Sequence, residues 1–170
     1  MSAESKLALV ALGSNLGNPE AQVRKAITEL RRFSHEPLVQ SSLYRSTPVH
    51  CPPGSPPFVN AVVGFIPLPG QSPEALLAEL LTLEKVFGRV RDSRMNILNA
   101  PRPLDLDLIA FAAEERATAD LVLPHPRAHL RRFVLTPLVE IAPNLVLPGQ
   151  TKSVRELLSS LRTDEIVEKM

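Results

Sequence analysis

Leu104-Asp105-Leu106-Asp107-Leu108-Ile109-Ala110-Phe111 is the stretch on which the fold turns. Side chains on a strand alternate between faces, so Leu104, Leu106 and Leu108 share one side and Asp105 and Asp107 the other. The segment therefore reads as a strand with one apolar face to bury and two carboxylates on the opposite face. Upstream of it, a long polar stretch from Arg89 to Pro103 follows a helix, and that helix follows another strand.

The rest of the order comes from the same two periodicities. Leu7 to Leu12 is a wholly apolar run ending at Gly13-Ser14-Asn15 and predicts a strand buried on both faces. Asn18-Pro19 supplies an N-cap and a proline at the first helical position. Val23, Ala26, Ile27 and Leu30 then recur at helical spacing, giving a helix over about 19–33. Val39 to Arg45 predicts a strand, and Phe58 to Ile66 a stronger one after a proline-rich loop. Ser72-Pro73 repeats the cap signature for a helix with Leu76, Leu77, Leu80 and Leu81 as its buried stripe, ended by Gly88. The order β-α-β-β-α-β predicts a ferredoxin-like α+β sheet with both helices on one face. Beyond it the sequence predicts a short strand near 121–123 and a helix over about 133–141. A segment at 144–147 and a last helix near 153–161 follow, with no sign of a second domain.

Composition excludes several classes of function. The 170 residues hold 44% apolar and 22% charged side chains, ordinary for one globular domain. A net charge of +1 gives no overall field for nucleic acid or anionic membrane. Aromatic residues are 4%, too few for the paired-aromatic strands of an RNA-binding sheet. One cysteine, Cys51, leaves no internal disulfide, and no apolar run suits a signal peptide or a membrane span. A cytoplasmic monomer is expected. The 17 prolines stand before helices, after strands and in two clusters, at 48–57 and 101–103, which read as shaped loops.

Two carboxylates on one face repel each other unless a cation lies between them. Hard oxygen donors at this spacing suit Mg²⁺, which keeps waters and substrate phosphates in its shell. The same pair also suits an edge strand that uses acids against aggregation. Arg89, Arg91, Arg94 and Arg102 flank it, and in a nearly neutral chain such clustering has the parts of a polyphosphate clamp. His125 stands between two prolines, near Arg127, Arg131 and Arg132, in a context that favours an anion contact. Glu84 falls on the apolar stripe of the second helix, either as an N–H acceptor for a heterocycle or as the partner of an arginine. Asn60, mid-strand, offers donor and acceptor together, which fits the edge of a pterin or purine. Gly13-Ser14-Asn15-Leu16-Gly17 matches neither a Walker loop nor a dinucleotide fingerprint.

Taken in order, several segments resemble the 2-amino-4-hydroxy-6-hydroxymethyldihydropteridine pyrophosphokinase family. They are Leu12-Gly13-Ser14-Asn15-Leu16-Gly17, Ser42-Leu43-Tyr44-Arg45-Ser46-Thr47-Pro48-Val49, Phe58-Val59-Asn60-Ala61-Val62 and Gly88-Arg89-Val90-Arg91. Ala100-Pro101-Arg102-Pro103-Leu104-Asp105-Leu106-Asp107 follows, then Pro124-His125-Pro126-Arg127 through to Arg131-Arg132-Phe133-Val134-Leu135. The resemblance implies a ferredoxin-like fold with an additional C-terminal strand and helices, and one pyrophosphokinase domain over 1–170. It implies transfer of diphosphate from ATP to 6-hydroxymethyl-7,8-dihydropterin, releasing AMP, in folate biosynthesis. Asp105 and Asp107 match the ligands of two Mg²⁺ ions, and with Arg89 and Arg102 they form the expected catalytic set. Glu84, Arg89, Arg91, Arg102, His125 and Arg131 match the ATP site. Ser46, Val49, Phe58, Asn60 and Phe133 match the pterin pocket, with an aromatic pair sandwiching the ring. Segments 48–57 and 89–103 match loops that close over substrates. The chain has no Trp, so a stacking residue that some members carry near position 99 is absent, and Pro126 stands where some have a tyrosine. The rival from another class is a non-catalytic, nucleotide-sensing ferredoxin-like domain.

Overall fold

The computed structural model describes residues 3–48, 51–88 and 103–170. β1 (Ala8–Ser14) is fully buried and lies in the interior of the sheet, because an apolar run has no face to give to water. β4 (Phe58–Phe65) pairs antiparallel on one side of it and β5 (Asp105–Phe111) on the other. β2 (Val39–Gln40) and β3 (Tyr44–Ser46) line the far side of β4, and β8 (Val167–Lys169) pairs with β3. The order β5-β1-β4-β3-β8, with β2 beside β4, is the ferredoxin-like sheet extended by one strand.

α1 (Pro19–Leu30) and α2 (Pro73–Val86) begin as the sequence predicts. Asn18 Oδ1 accepts the Ala21 N–H at 3.2 Å, and Ser72 Oγ accepts that of Ala75 at 3.1 Å. α1 tightens into a 3₁₀ turn over Arg31–Phe33, and Gly88, at φ 93°, ends the second helix. Both helices cover one face of the sheet. Val23, Ile27 and Leu30 of the first and Leu76, Leu80 and Leu83 of the second meet Val10, Leu12, Val63, Leu106 and Leu108 there.

The other face is shared between a second core and the site. α3 (Arg132–Ile141) and α4 (Val154–Ser160) pack Val134, Leu135, Leu138 and Val154 against Leu9, Ala11, Val62, Ile109 and Ala110. A capping box between Ser153 and Glu156 starts α4. Two short strands, β6 (Arg116–Ala117) and β7 (Val122–Leu123), form a separate hairpin. Residues 144–147 form a turn and an extended segment whose Leu145 and Leu147 are buried. No helix among the described residues is long and apolar enough to cross a membrane.

The expected strand over 39–45 is two pieces. Ser41 Oγ accepts the Val62 N–H at 3.0 Å, and the Ser42 N–H donates to Glu140 Oε1 at 3.0 Å. Serine and glutamate side chains thus replace backbone partners in the middle of the ladder, which breaks it. β5 carries a bulge: Leu9 pairs with Ala110 and Val10 with Leu108, leaving Ile109 as the extra residue.

Candidate active site

α3 and α4 leave one end of their sheet face uncovered, and a cleft of ≈ 620 Å³ opens there. Gly13 and Ala11 of β1, Phe58 and Asn60 of β4, Ser46 of β3, and Asp105 and Asp107 of β5 form its floor. Its walls are Arg127, Leu130, Arg131 and Phe133 from the entry into α3, Thr47 and Cys51, and Thr163 and Glu165 from the segment before β8.

The two ends of the cleft differ chemically. At one end Asn60 and Ser46 are almost fully buried, and the Ser46 hydroxyl donates to Asn60 Oδ1. That bond commits the amide oxygen and leaves its NH₂ toward Gly13, where an added Cβ would lie 3.1 Å from Asn60 Nδ2. Phe58 and Phe133 bring aromatic rings to the same cleft. At the other end Asp105 and Asp107 share a face, as alternation requires. Arg131 Nη1 stands 3.9 Å from Asp107 Oδ2, and its guanidinium lies 5.5 Å from the Phe133 ring centroid. An ion pair so long and partly solvated contributes little to stability, so this arginine is held near the acids without being consumed by them.

His125 belongs to the neighbouring turn. Its backbone N–H donates to the carbonyl of the bulged Ile109 at 2.8 Å, and its Nδ1 accepts the Arg127 N–H at 3.2 Å. Burial, reinforced by the charges of Arg131 and Arg127, pulls its pKa down to about 4, against an opposing pull from Asp105. The neutral ring accepts at Nδ1, so its proton is on Nε2 and is available to donate. Glu84 lies behind β5, buried on the α2 side, where its Oε2 accepts the Leu106 N–H at 2.8 Å. Burial raises the pKa of Glu165, partly offset by the N–H groups of Phe133 and Arg132 and by the charges of Arg132 and Arg131.

Seven residues singled out in the sequence line this one cleft: Ser46, Phe58, Asn60, Asp105, Asp107, Arg131 and Phe133. Glu84 and His125 flank it from behind β5 and from the next turn. Val49, Arg89, Arg91 and Arg102, with most of the 89–103 loop, lie outside the described residues. Arg127 has a role from sequence only as context for the anion contact of His125, and Thr47, Thr163 and Glu165 have none. The first two stood inside segments already marked, whereas Thr163 and Glu165 sit in a polar tail without periodicity.

Asp105 and Asp107 present carboxylate oxygens to the cleft, and among the described residues no cluster of three His, Cys, Asp or Glu side chains forms a complete metal cage. That donor set fits Mg²⁺, which takes one or two carboxylates and fills its octahedron with water and phosphate oxygens.

Known proteins show the same arrangement of sequence. A family model described as 7,8-dihydro-6-hydroxymethylpterin-pyrophosphokinase (HPPK) matches residues 9–143. The 2-amino-4-hydroxy-6-hydroxymethyldihydropteridine pyrophosphokinase of Haemophilus influenzae is 37% identical over 161 residues, 94% of this chain and 96% of that one. Its counterpart in Pseudomonas aeruginosa is 39% identical over 152 residues, 89% of each. Among solved structures, an HPPK-DHPS in complex with substrates superposes with a TM-score of 0.70 at 12% identity, over 91% of this chain. The Plasmodium falciparum HPPK-DHPS gives 0.71 at 12% over 90%. This chain spans less than half of those two proteins, 43% and 44%, and the likeness to them concerns the fold. With a matching model across most of its length and full-length relatives above one-third identity, the chain belongs to the 7,8-dihydro-6-hydroxymethylpterin-pyrophosphokinase family, enzymes of folate biosynthesis.

Proposed function

We propose that this chain, acting as one catalytic unit in the cytoplasm, transfers diphosphate from ATP to the hydroxyl of 6-hydroxymethyl-7,8-dihydropterin and releases AMP. The observation that carries the reading is a single cleft with an aromatic and amide end beside a diacid and arginine end. Phe58 and Phe133 hold a flat heterocycle, and the Asn60 NH₂, oriented by Ser46, reads its edge together with Val49. The hydroxymethyl group then faces Asp105 and Asp107. Arg131, the Nε2–H of His125, Arg89, Arg91 and Arg102 receive the triphosphate, and Glu84 supports β5 beside the nucleotide. Mg²⁺, as two ions held by Asp105 and Asp107, supplies charge neutralisation to the phosphates and acidity to the attacking hydroxyl. Direct in-line attack on the β-phosphorus forms the new O–P bond as the bond to AMP breaks. Among the described residues no strong base stands out in the cleft, Glu165 being engaged by the Phe133 N–H, so the hydroxyl proton passes to Asp107 or to solvent. Loops 48–57 and 89–103 close to exclude water and suppress ATP hydrolysis. Family membership disfavours the nucleotide-sensing alternative.

An assay for AMP with ATP, Mg²⁺ and the dihydropterin, omitting each in turn, tests this. AMP formation is expected to require all three. Asp105→Ala and Asp107→Ala are each expected to lower kcat on the order of a hundredfold or more. AMP released without pterin, or near-normal turnover by either variant, would overturn the reading.

A further inference from the structure

We propose that Glu165, in the C-terminal segment, is a positioning residue for the pterin pocket: it holds Phe133 in place by capping the helix that carries it. The inference rests on the reading that Phe133 faces the pterin. α3 starts without a cap of its own, since its N-cap residue Arg131 makes no side-chain hydrogen bond to the helix. Glu165, 32 positions further along the chain, supplies the missing acceptor: its Oε1 takes the Phe133 N–H at 2.6 Å. This is the bond that an N-cap Asp or Ser ordinarily makes, and a carboxylate also suits the positive end of the helix dipole.

Glu165 is only 8% exposed and lines the same cleft as Phe133, so it is not a surface ornament. The segment around it is fastened to the opposite wall. Ile166 N–H donates to Thr47 Oγ1 at 3.1 Å, and Thr47 N–H donates to the Ile166 carbonyl at 3.1 Å. β8 then pairs with β3, placing Val167 opposite Ser46. One short segment therefore ties the strand bearing Ser46 to the first turn of the helix bearing Phe133. These are two walls of the pocket that the sheet itself does not join directly.

Glu165→Ala removes the acceptor. Glu165→Gln retains an oxygen that can accept the same N–H. Steady-state kinetics of both, with calorimetric binding of 6-hydroxymethylpterin and melting temperatures, separates positioning from folding. Glu165→Ala is expected to raise the pterin KM and weaken pterin binding by roughly tenfold, the scale of a lost cap. The KM for ATP is expected to stay within about twofold, and Glu165→Gln to recover most of the pterin affinity. Equal losses for both substrates, or a melting-temperature drop with unchanged pterin KM, would overturn the proposal. A wild-type protein that binds the pterin without forming AMP would defeat the catalytic reading while leaving Glu165 to be judged on binding. Failure of the wild type to bind the pterin would defeat both.

Discussion

A methyl group at Gly13 would reach within 3.1 Å of Asn60 Nδ2, closer than an ordinary contact. Asn60 has little room to yield, because its Oδ1 is fixed by Ser46 and both residues are buried. The backbone itself imposes no penalty: Gly13 lies within β1, not in a left-handed turn. Replacing Gly by Ala in such a strand stiffens the unfolded chain and favours folding by about 0.4–1 kcal/mol. The two effects separate cleanly. Gly13→Ala is expected to melt within a few degrees of wild type while its pterin KM rises roughly tenfold, as the amide is pushed aside. Thermal melting alongside steady-state kinetics checks it, and an unchanged pterin KM would remove Asn60 from the pocket.

Among the elements, α3 is held at both ends by side-chain hydrogen bonds to distant segments of the chain. Glu165 caps its start. Near its end, Glu140 Oε1 accepts the Ser42 hydroxyl at 2.7 Å and Oε2 accepts the Tyr44 hydroxyl at 2.5 Å. Burial, then the hydrogen bond and charge of Glu140, pushes the Tyr44 hydroxyl from 10.0 up to about 12. A raised native pKa means that the unfolded chain loses its proton first. The stabilisation is therefore complete below pH 10 and is lost as the pH rises toward 12. Wild type is expected to exceed Tyr44→Phe by about 1 kcal/mol at neutral pH, with the gap closing between those limits. Urea titrations of both proteins across that window would show it, and a constant gap would contradict it.

The same elements show what a sequence displays and what it hides. α1 and α2 were legible from Asn18-Pro19 and Ser72-Pro73, because capping is local chemistry written within four residues. Asp105 and Asp107 were legible because alternation fixes their face whatever they pack against. The break at Ser41 and Ser42 was not, since it depends on Val62 and on Glu140, 98 positions away from Ser42. Nor was β8: Val167-Glu168-Lys169 is too short and polar to carry a period, and only its partner β3 makes it a strand. Glu165 went unmarked for the same reason.

At the scale of the whole molecule, the sheet separates two cores, and the turn holding His125 is anchored at the rim of the second. Burial and the neighbouring arginines lower the pKa of His125 from 6.5 to about 4. Below pH 6.5 the unfolded chain takes up this proton and the native state resists it, so stability falls as the pH drops toward 4. His125→Gln, which cannot take up a proton, is expected to lose less stability over that interval. Denaturation midpoints at several pH values would reveal parallel curves if the prediction fails.

The bulge in β5 has a genetic consequence. Removing any one residue from Asp105 to Asp107 would turn part of that strand over, sending an acid into the apolar layer or a leucine into the cleft. Ile109 is different, because it pairs with nothing across the ladder. An in-frame loss of its codon would let Ala110 follow Leu108 directly, with Asp105, Asp107 and Phe111 still facing as they do. Such a deletion would forfeit the isoleucine's place in the second core and the carbonyl that anchors His125. Within 105–109 the reading frame of faces thus has one spare position, and its occupant is kept for what it holds rather than for what it pairs.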